Sequence, residues 1–118
     1  MHELSVTEAI LKTTLEYARK ENAERVIDIY LVIGDLSSIV DDSVQFYWEF
    51  ISKDTICEGA KLHFNRIPGR MKCLDCKYEY NLEGELIPCP KCHSFNIKVI
   101  AGTEFRLDSI EIENNLEN

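Results

Sequence analysis

Four cysteines in two close pairs constrain this chain more than any other feature. Cys73 and Cys76 form one C-x2-C pair, Cys89 and Cys92 form the second, and twelve residues separate the pairs. Two such pairs bring four sulfurs to one point, which suits a tetrahedral metal ion. Two disulfides are the alternative, but these need an oxidising compartment, and charged residues throughout positions 1–20 argue against a secretory signal. We therefore predict a metal site.

Zinc is the ion that this pattern favours, but the Cys-Pro-x-Cys sequence of the second pair also occurs in rubredoxin-like iron sites. Four thiolates complete the coordination sphere, whereas a catalytic zinc usually keeps one position open for water. The predicted role is therefore structural. Residues 70–101 contain few large apolar side chains, so this segment needs the metal in order to fold.

Length and charge restrict the classes of function. The 118 residues allow one ordinary domain, or a modest core with one small metal-stabilised insertion. The net charge of -8 provides no basic face for nucleic acid. No apolar run approaches the roughly 20 residues that span a bilayer. We expect a cytoplasmic protein that binds neither nucleic acid nor membrane.

The N-terminal half predicts a helix followed by a strand. Ser5 and Glu8 match a capping box, and apolar residues recur at helical spacing, which predicts a helix over residues 5–22. Residues 25–33 then change to the alternation of a β-strand. The residues expected to point into the core from this strand are Ile27, Ile29, Leu31 and Ile33.

A second helix and two more strands follow. Asp41 or Asp42 can cap a helix that ends near Lys53. Residues 61–67 and 103–112 read as strands, with the cysteine segment between them. The apolar alternation of the last strand shifts phase at Asp108 and Ser109, which predicts a β-bulge there. The elements indicate an α+β fold that carries an inserted metal-binding module.

Position 2 is the second notable feature. The α-amino group of Met1, the amide and imidazole nitrogens of His2 and the amide of Glu3 can form a square of nitrogen donors. Such a square selects Ni(II) or Cu(II) over zinc. A histidine without any role at a chain end is the alternative reading. His93 directly follows Cys92 and can modulate the cysteine site, although an exposed histidine is common in ribbons.

Several motifs, taken in their order and spacing, closely resemble the HypA/HybF family of hydrogenase nickel-incorporation proteins. The resemblance covers almost the whole chain, from Met1 to about Glu113. The motifs are Met1-His2-Glu3 followed by Ser5, Ile33-Gly34-Asp35-Leu36-Ser37, the two cysteine pairs with His93-Ser94, Gly102-Thr103-Glu104-Phe105, and Ser109-Ile110-Glu111.

The resemblance implies a two-domain nickel metallochaperone and no enzyme. Residues 1–69 and 102–118 would form an α+β nickel-binding domain of two helices on a three-stranded sheet, and residues 70–101 an inserted zinc ribbon. Ni(II) would bind transiently through Met1, His2 and Glu3. Structural Zn(II) would bind the ribbon cysteines, which are Cys73, Cys76, Cys89 and Cys92.

The resemblance also implies partners. These are a hydrogenase-maturation GTPase, the precursor of the [NiFe]-hydrogenase large subunit and, in some organisms, urease maturation proteins. Two other functions stay open from the residues alone. A rubredoxin-like electron-transfer module would need iron at the cysteines, and a zinc-ribbon adaptor would bind a partner without handling nickel.

Overall fold

A computed structural model describes residues 3–114. Its order of elements begins with a helix and a strand and ends with a long strand that follows the cysteine segment. The elements are α1 (Glu3–Lys20), β1 (Arg25–Gly34), a 3-10 turn (Asp35–Ser37), α2 (Asp41–Ile51), β2 (Lys61–Ile67), β3 (Arg70–Cys73), β4 (Glu79–Asn81), β5 (Ile97–Ala101) and β6 (Phe105–Glu113).

Two helices and two small sheets confirm the predicted α+β class. One sheet has the order β2-β1-β6, so the strands on either side of the cysteine segment lie at its two edges. The other sheet has the order β4-β3-β5 with antiparallel pairs, and it belongs to the inserted segment. Within the described residues, no helix is both long and apolar enough to cross a bilayer.

The described residues form two compact units. The first, here called the helix–sheet unit, contains residues 3–32, 38–65 and 106–114. The second, here called the ribbon unit, contains residues 33–37 and 66–105. The assignment of residues 70–101 alone to a zinc-ribbon domain stays a prediction.

Helix α1 begins earlier than its sequence predicts. The capping-box prediction was wrong, because Ser5 is already the third residue of the helix. Its buried residues repeat every three or four positions and give the stripe of an amphipathic helix. After Lys20 the N–H of Ala23 donates to the carbonyl of Ala18 at 3.0 Å, which ends the helix close to the predicted residue 22.

Helix α2 lacks the aspartate cap that the sequence suggested. Its N-cap residue is Val40, without a side-chain cap, while Asp41 and Asp42 occupy the first turn, where carboxylates favour the helix dipole. The N–H of Val40 instead donates to the carboxylate of Glu3 at 3.1 Å. The helix ends at Ile51, two residues before the predicted end.

Strand β1 confirms three of its four predicted core residues. Ile29, Leu31 and Ile33 are fully buried, but Ile27 is exposed and Val26 is buried in its place. The N–H of Val26 donates to the carbonyl of Ile56 at 2.9 Å. Ile56 lies outside the regular strands. Pairing with that segment interrupts the alternation at the start of the strand, so the prediction for Ile27 was wrong.

The edge strands largely follow their predictions. Strand β2 has the predicted bounds, and Leu62 is buried. In β6, Asp108 and Ser109 are both exposed, so the burial alternation shifts where the sequence pattern shifts. The bulge at this point stays a prediction.

Three glycines meet inside the ribbon unit. A Cβ atom added to Gly34 would lie 2.0 Å from the carbonyl oxygen of Gly102. A Cβ atom on Gly102, whose φ is +108°, would lie 2.6 Å from the Cα atom of Gly69. Backbone hydrogen bonds fix this crossing, since Leu36 donates to Gly102 at 2.8 Å and Gly34 donates to Glu104 at 2.7 Å. Side chains at these positions would therefore collide with backbone.

Candidate metal centre

Two turns of the same geometry carry the four cysteines. The N–H of Lys77 donates to the carbonyl of Cys73 at 2.9 Å, and the N–H of His93 donates to the carbonyl of Cys89 at 2.8 Å. Lys77 and His93 both adopt left-handed backbone conformations, with φ of 71° and 65°. Each C-x2-C pair therefore closes into one tight turn, and the residue after the second cysteine reverses the chain.

Backbone N–H groups point at the first sulfur of each turn. The N–H of Cys76 donates to the Sγ of Cys73 at 3.4 Å, and the N–H of Cys92 donates to the Sγ of Cys89 at 3.4 Å. The N–H of Lys91 also donates to the Sγ of Cys89, at 3.3 Å. Such bonds favour the thiolate over the thiol, and the thiolate is the form that binds metal.

The four sulfurs form one cluster. All of them lie within 4.8 Å of one another, and 3.6 Å separates the sulfurs of Cys73 and Cys92, as well as those of Cys76 and Cys89. A regular tetrahedron with Zn–S bonds of about 2.3 Å places its sulfurs about 3.8 Å apart. A disulfide bond is only about 2.05 Å long, and all five cysteines are free thiols. The geometry therefore fits a metal and rejects the disulfide alternative.

The electrostatics of the cluster also fit a cation. The N–H of Cys76 lowers the pKa of Cys73. Burial opposes ionisation of Cys89, yet N–H groups of Cys92 and Lys91 lower its pKa to about 7. At Cys92, the N–H of Ser94 favours the thiolate, but burial and the other three sulfurs raise its pKa to about 12. Four thiolates at this spacing therefore need a positive ion between them.

Side-chain hydrogen bonds outside the cluster connect the two turns. The carboxylate of Asp75, inside the first pair, accepts bonds from Ser94 Oγ at 2.5 Å and from Asn96 Nδ2 at 3.0 Å. Cys73 and Cys89 are fully buried, whereas Cys92 is exposed. The site is therefore held from both turns and opens to solvent at Cys92.

His93 is placed beside this cluster by its sequence position. Its side chain is exposed, and its backbone closes the second turn. His63 lies elsewhere, in the helix–sheet unit, where its Nε2 is 2.8 Å from Asp28 Oδ1. The modulating role of His93 stays a prediction.

The predicted nickel ligands are only partly within the described residues. Met1 and His2 lie outside them. Glu3 is 9% exposed in the first turn of α1, where its carboxylate accepts the N–H of Val40 and its carbonyl accepts the hydroxyl of Thr7. The sequence missed this anchoring role because the two partners are 37 residues apart and no local pattern connects Glu3 with Val40.

Comparison with known proteins decides the family. The sequence profile of a family described as "Hydrogenase/urease nickel incorporation, metallochaperone, hypA" matches residues 1–112. The chain belongs to this family. A hydrogenase maturation factor HypA from Dehalococcoides mccartyi strain CBDB1 is 44% identical over 113 residues, which cover 96% of this chain and 95% of the relative. A second, from Geobacter metallireducens, is 37% identical and covers 96% and 100%.

Solved structures of the family have the same fold. A solution structure of the Ni metallochaperone HypA from Helicobacter pylori gives a TM-score of 0.67 at 28% identity, covering 97% of this chain and 99% of that one. Another, described as a HypA protein, gives 0.71 at 27% identity, covering 95% and 96%. This chain is thus a nickel-incorporation metallochaperone of hydrogenase maturation and not a catalyst, and its four cysteines form a cluster whose geometry suits a structural zinc ion. The electron-transfer and adaptor readings are set aside.

Proposed function

We propose that the chain binds one Ni(II) ion through its N-terminus and passes it to the precursor of the [NiFe]-hydrogenase large subunit. The family match carries this proposal, because it begins at residue 1 and includes Met1, His2 and Glu3. An amine, an imidazole and backbone amides are nitrogen donors that suit square-planar Ni(II). Hydrogenase maturation then supplies the reason for binding nickel without keeping it.

Glu3 has two roles in this proposal. Its carboxylate joins the start of α1 to the N-cap of α2 through the N–H of Val40. The backbone amide nitrogen of Glu3 completes the square of nitrogen donors begun by Met1 and His2, so we assign this nitrogen as the nickel donor of Glu3. Glu3 is then the fixed point of the folded protein to which the donors of Met1 and His2 are joined. A recipient protein can replace these donors on the nickel ion one at a time without unfolding α1.

The ribbon would serve recognition. Zinc held by Cys73, Cys76, Cys89 and Cys92 gives residues 70–101 a fixed shape, which a partner in hydrogenase maturation can read. The proposed partners are a maturation GTPase, the hydrogenase precursor and, in some organisms, urease maturation proteins. The proposed compartment is the cytoplasm, where thiols stay reduced and available to the metal.

The test is a calorimetric titration of Ni(II) into zinc-loaded protein with a native, untagged N-terminus. We expect about one nickel ion to bind per chain, because each chain has one set of N-terminal donors. His2→Ala should abolish this binding and leave zinc content and far-UV circular dichroism unchanged. His63→Ala is the matched control, because it removes a histidine of the helix–sheet unit and should leave nickel binding intact. Equal binding by wild type and His2→Ala would contradict the proposal.

Two variants at Glu3 separate its roles. Glu3→Gln keeps an oxygen that can accept the N–H of Val40 and keeps the backbone amide, so nickel affinity should stay within about threefold of wild type. Glu3→Ala removes the acceptor, and we expect a lower melting temperature as well as weaker nickel binding. Loss of nickel binding in Glu3→Gln at unchanged stability would instead make the carboxylate a nickel ligand.

A further inference from the structure

The helix–sheet unit contains a cavity that the metal sites do not use. It has a volume of about 510 Å³ and lies on strands β1, β2 and β6. Tyr30 and His63 contribute aromatic side chains to its lining, and Asp108 and Glu111 contribute carboxylates. Because side chains alternate along a strand, Tyr30 lies on the face opposite Ile29 and Leu31, which are buried in the core.

An aromatic stack forms one wall of this cavity. The rings of Tyr30 and His63 are nearly parallel, with an interplanar angle of 13° and centroids 4.5 Å apart. His63 Nε2 lies 2.8 Å from Asp28 Oδ1, and an ionised carboxylate only accepts hydrogen bonds, so this nitrogen donates. The hydrogen bond and the stack together fix the orientation of the imidazole ring in the lining of the cavity.

Negative charge lines another part of the cavity. Asp108 and Glu111 both come from β6 and are exposed. Burial first, and then the charges of Glu111 and Asp28, raise the pKa of Tyr30, so Glu111 acts electrostatically on the aromatic stack. The basic residues Lys61 and Arg106 lie on β2 and β6 within the same unit, but they are exposed and do not line the cavity.

We propose that this cavity binds the guanidinium group of an arginine side chain that a partner protein presents. Guanidinium is a planar cation that stacks on aromatic rings and forms two parallel hydrogen bonds to a carboxylate. Flat rings and carboxylates in one cavity are complementary to both properties. The volume exceeds one side chain and leaves room for the backbone on either side of the arginine.

This inference does not rest on nickel binding. The cavity residues belong to β1, β2 and β6, and none of them is a ligand in the proposed nickel or zinc sites. The test therefore uses zinc-loaded protein without nickel, and a failure of nickel binding would leave its outcome unchanged.

The experiment is an NMR titration of the ¹⁵N-labelled protein with acetyl-Gly-Arg-Gly-amide. We expect saturable shifts confined to residues around Tyr30, His63 and Glu111. The citrulline peptide, which has the same shape without the charge, should bind about tenfold more weakly, because it loses the charge-assisted hydrogen bonds. The lysine peptide should also bind more weakly, because an ammonium cannot stack or bind in a bidentate manner.

Two variants and one control locate the binding. Glu111→Gln should lower the affinity for the arginine peptide about fivefold or more, with the fold unchanged. Tyr30→Leu should weaken it through loss of stacking, and its amide spectrum reports whether the sheet is intact. Glu16→Gln removes the same charge from the exposed face of α1 and should leave the affinity unchanged.

Four results would overturn the proposal. The first is the absence of saturable, localised shifts, and the second is equal binding of the arginine and citrulline peptides. The third is an equal loss of affinity for the arginine peptide in Glu111→Gln and Glu16→Gln, which would mean that binding depends only on the net charge of the protein. If free arginine bound as tightly as the peptide, the cavity would serve a small cation and the assignment to a partner protein would be wrong.

Discussion

The helix–sheet unit and the ribbon reach stability by different means. The first buries Trp48, Ile29 and Leu31 almost completely, so the hydrophobic effect holds it together. In residues 70–101 the only buried side chains are those of Met71, Cys73, Tyr80 and Cys89, while Phe95 is 79% exposed. Two of those four, Cys73 and Cys89, belong to the cysteine cluster that suits a zinc ion. A small segment thus replaces an apolar core by coordination, and changes in the two units should have separable effects.

The largest expected effect is on the ribbon. Cys89→Ser removes a buried ligand, and structural zinc contributes apparent free energies of about 10–16 kcal/mol in zinc-finger peptides. We expect loss of zinc and collapse of amide dispersion for residues 70–101 by NMR, while signals of α1 and α2 persist. Cys57→Ser is the control, because it makes the same chemical change in the helix–sheet unit and should retain one zinc per chain. A dispersed ribbon spectrum without zinc would contradict the comparison.

The second prediction concerns the apolar core. Trp48→Ala should lower the free energy of unfolding by about 3–5 kcal/mol, because it leaves a cavity in a fully packed site. Zinc content, measured by native mass spectrometry, should stay unchanged. Trp48→Phe should lower the free energy of unfolding by less than Trp48→Ala does. The indole N–H is buried and has no hydrogen-bond partner among the described residues, so phenylalanine removes an unsatisfied donor. A larger loss for phenylalanine than for alanine would refute this.

The third prediction compares one residue type in two settings. Burial raises the pKa of the Cys57 thiol to about 11 from an ordinary value of 9.0, whereas the pKa of Cys89 is lowered. As pH rises above 9, the unfolded chain releases the Cys57 proton before the folded chain does. The contribution of Cys57 to the free energy of unfolding therefore falls between pH 9 and about 11. Urea unfolding of wild type and Cys57→Ala checks this, since the variant should show a shallower decline.

The smallest expected effect lies next to the metal centre. Asp75→Asn weakens the bonds to Ser94 and Asn96 that connect the two cysteine turns. Because Asp75 is exposed and is not a ligand, zinc release to a chelator should quicken by less than about tenfold, below the usual effect of groups that hold ligands directly. Asp54→Asn, an exposed control in the helix–sheet unit, should release zinc at the wild-type rate.

Local patterns predicted most elements outside the ribbon and the clustering of the four cysteines. The spacing of the four cysteines defines two identical turns, and that geometry follows from a few neighbouring residues. The bounds of β2 were likewise set by local alternation between residue 61 and the Pro-Gly pair at positions 68 and 69. Such features need no knowledge of distant parts of the chain.

Features that depend on distant residues were missed. The N-cap residue of α2 is Val40, whose N–H bonds to Glu3, 37 positions away, so the nearby Asp41 and Asp42 were misleading as cap candidates. Pairing of Val26 with residue 56 exposes Ile27, although Ile27 continues the apolar alternation. The stack of Tyr30 on His63 joins two strands that no motif connects. In the first two cases a tertiary contact overrides a local preference, and in the third it joins residues that no local pattern relates.

The three-glycine crossing restricts mutation at positions that are far apart in the sequence. A methyl group on Gly34 would overlap the carbonyl of Gly102, and one on Gly102 would overlap the backbone of Gly69. The obstacle at each close contact is main chain, so no second mutation can make room by shortening a side chain. Alanine at Gly34 or at Gly102 should therefore lack single-site suppressors within the crossing, because each position requires glycine whatever residue stands at the other.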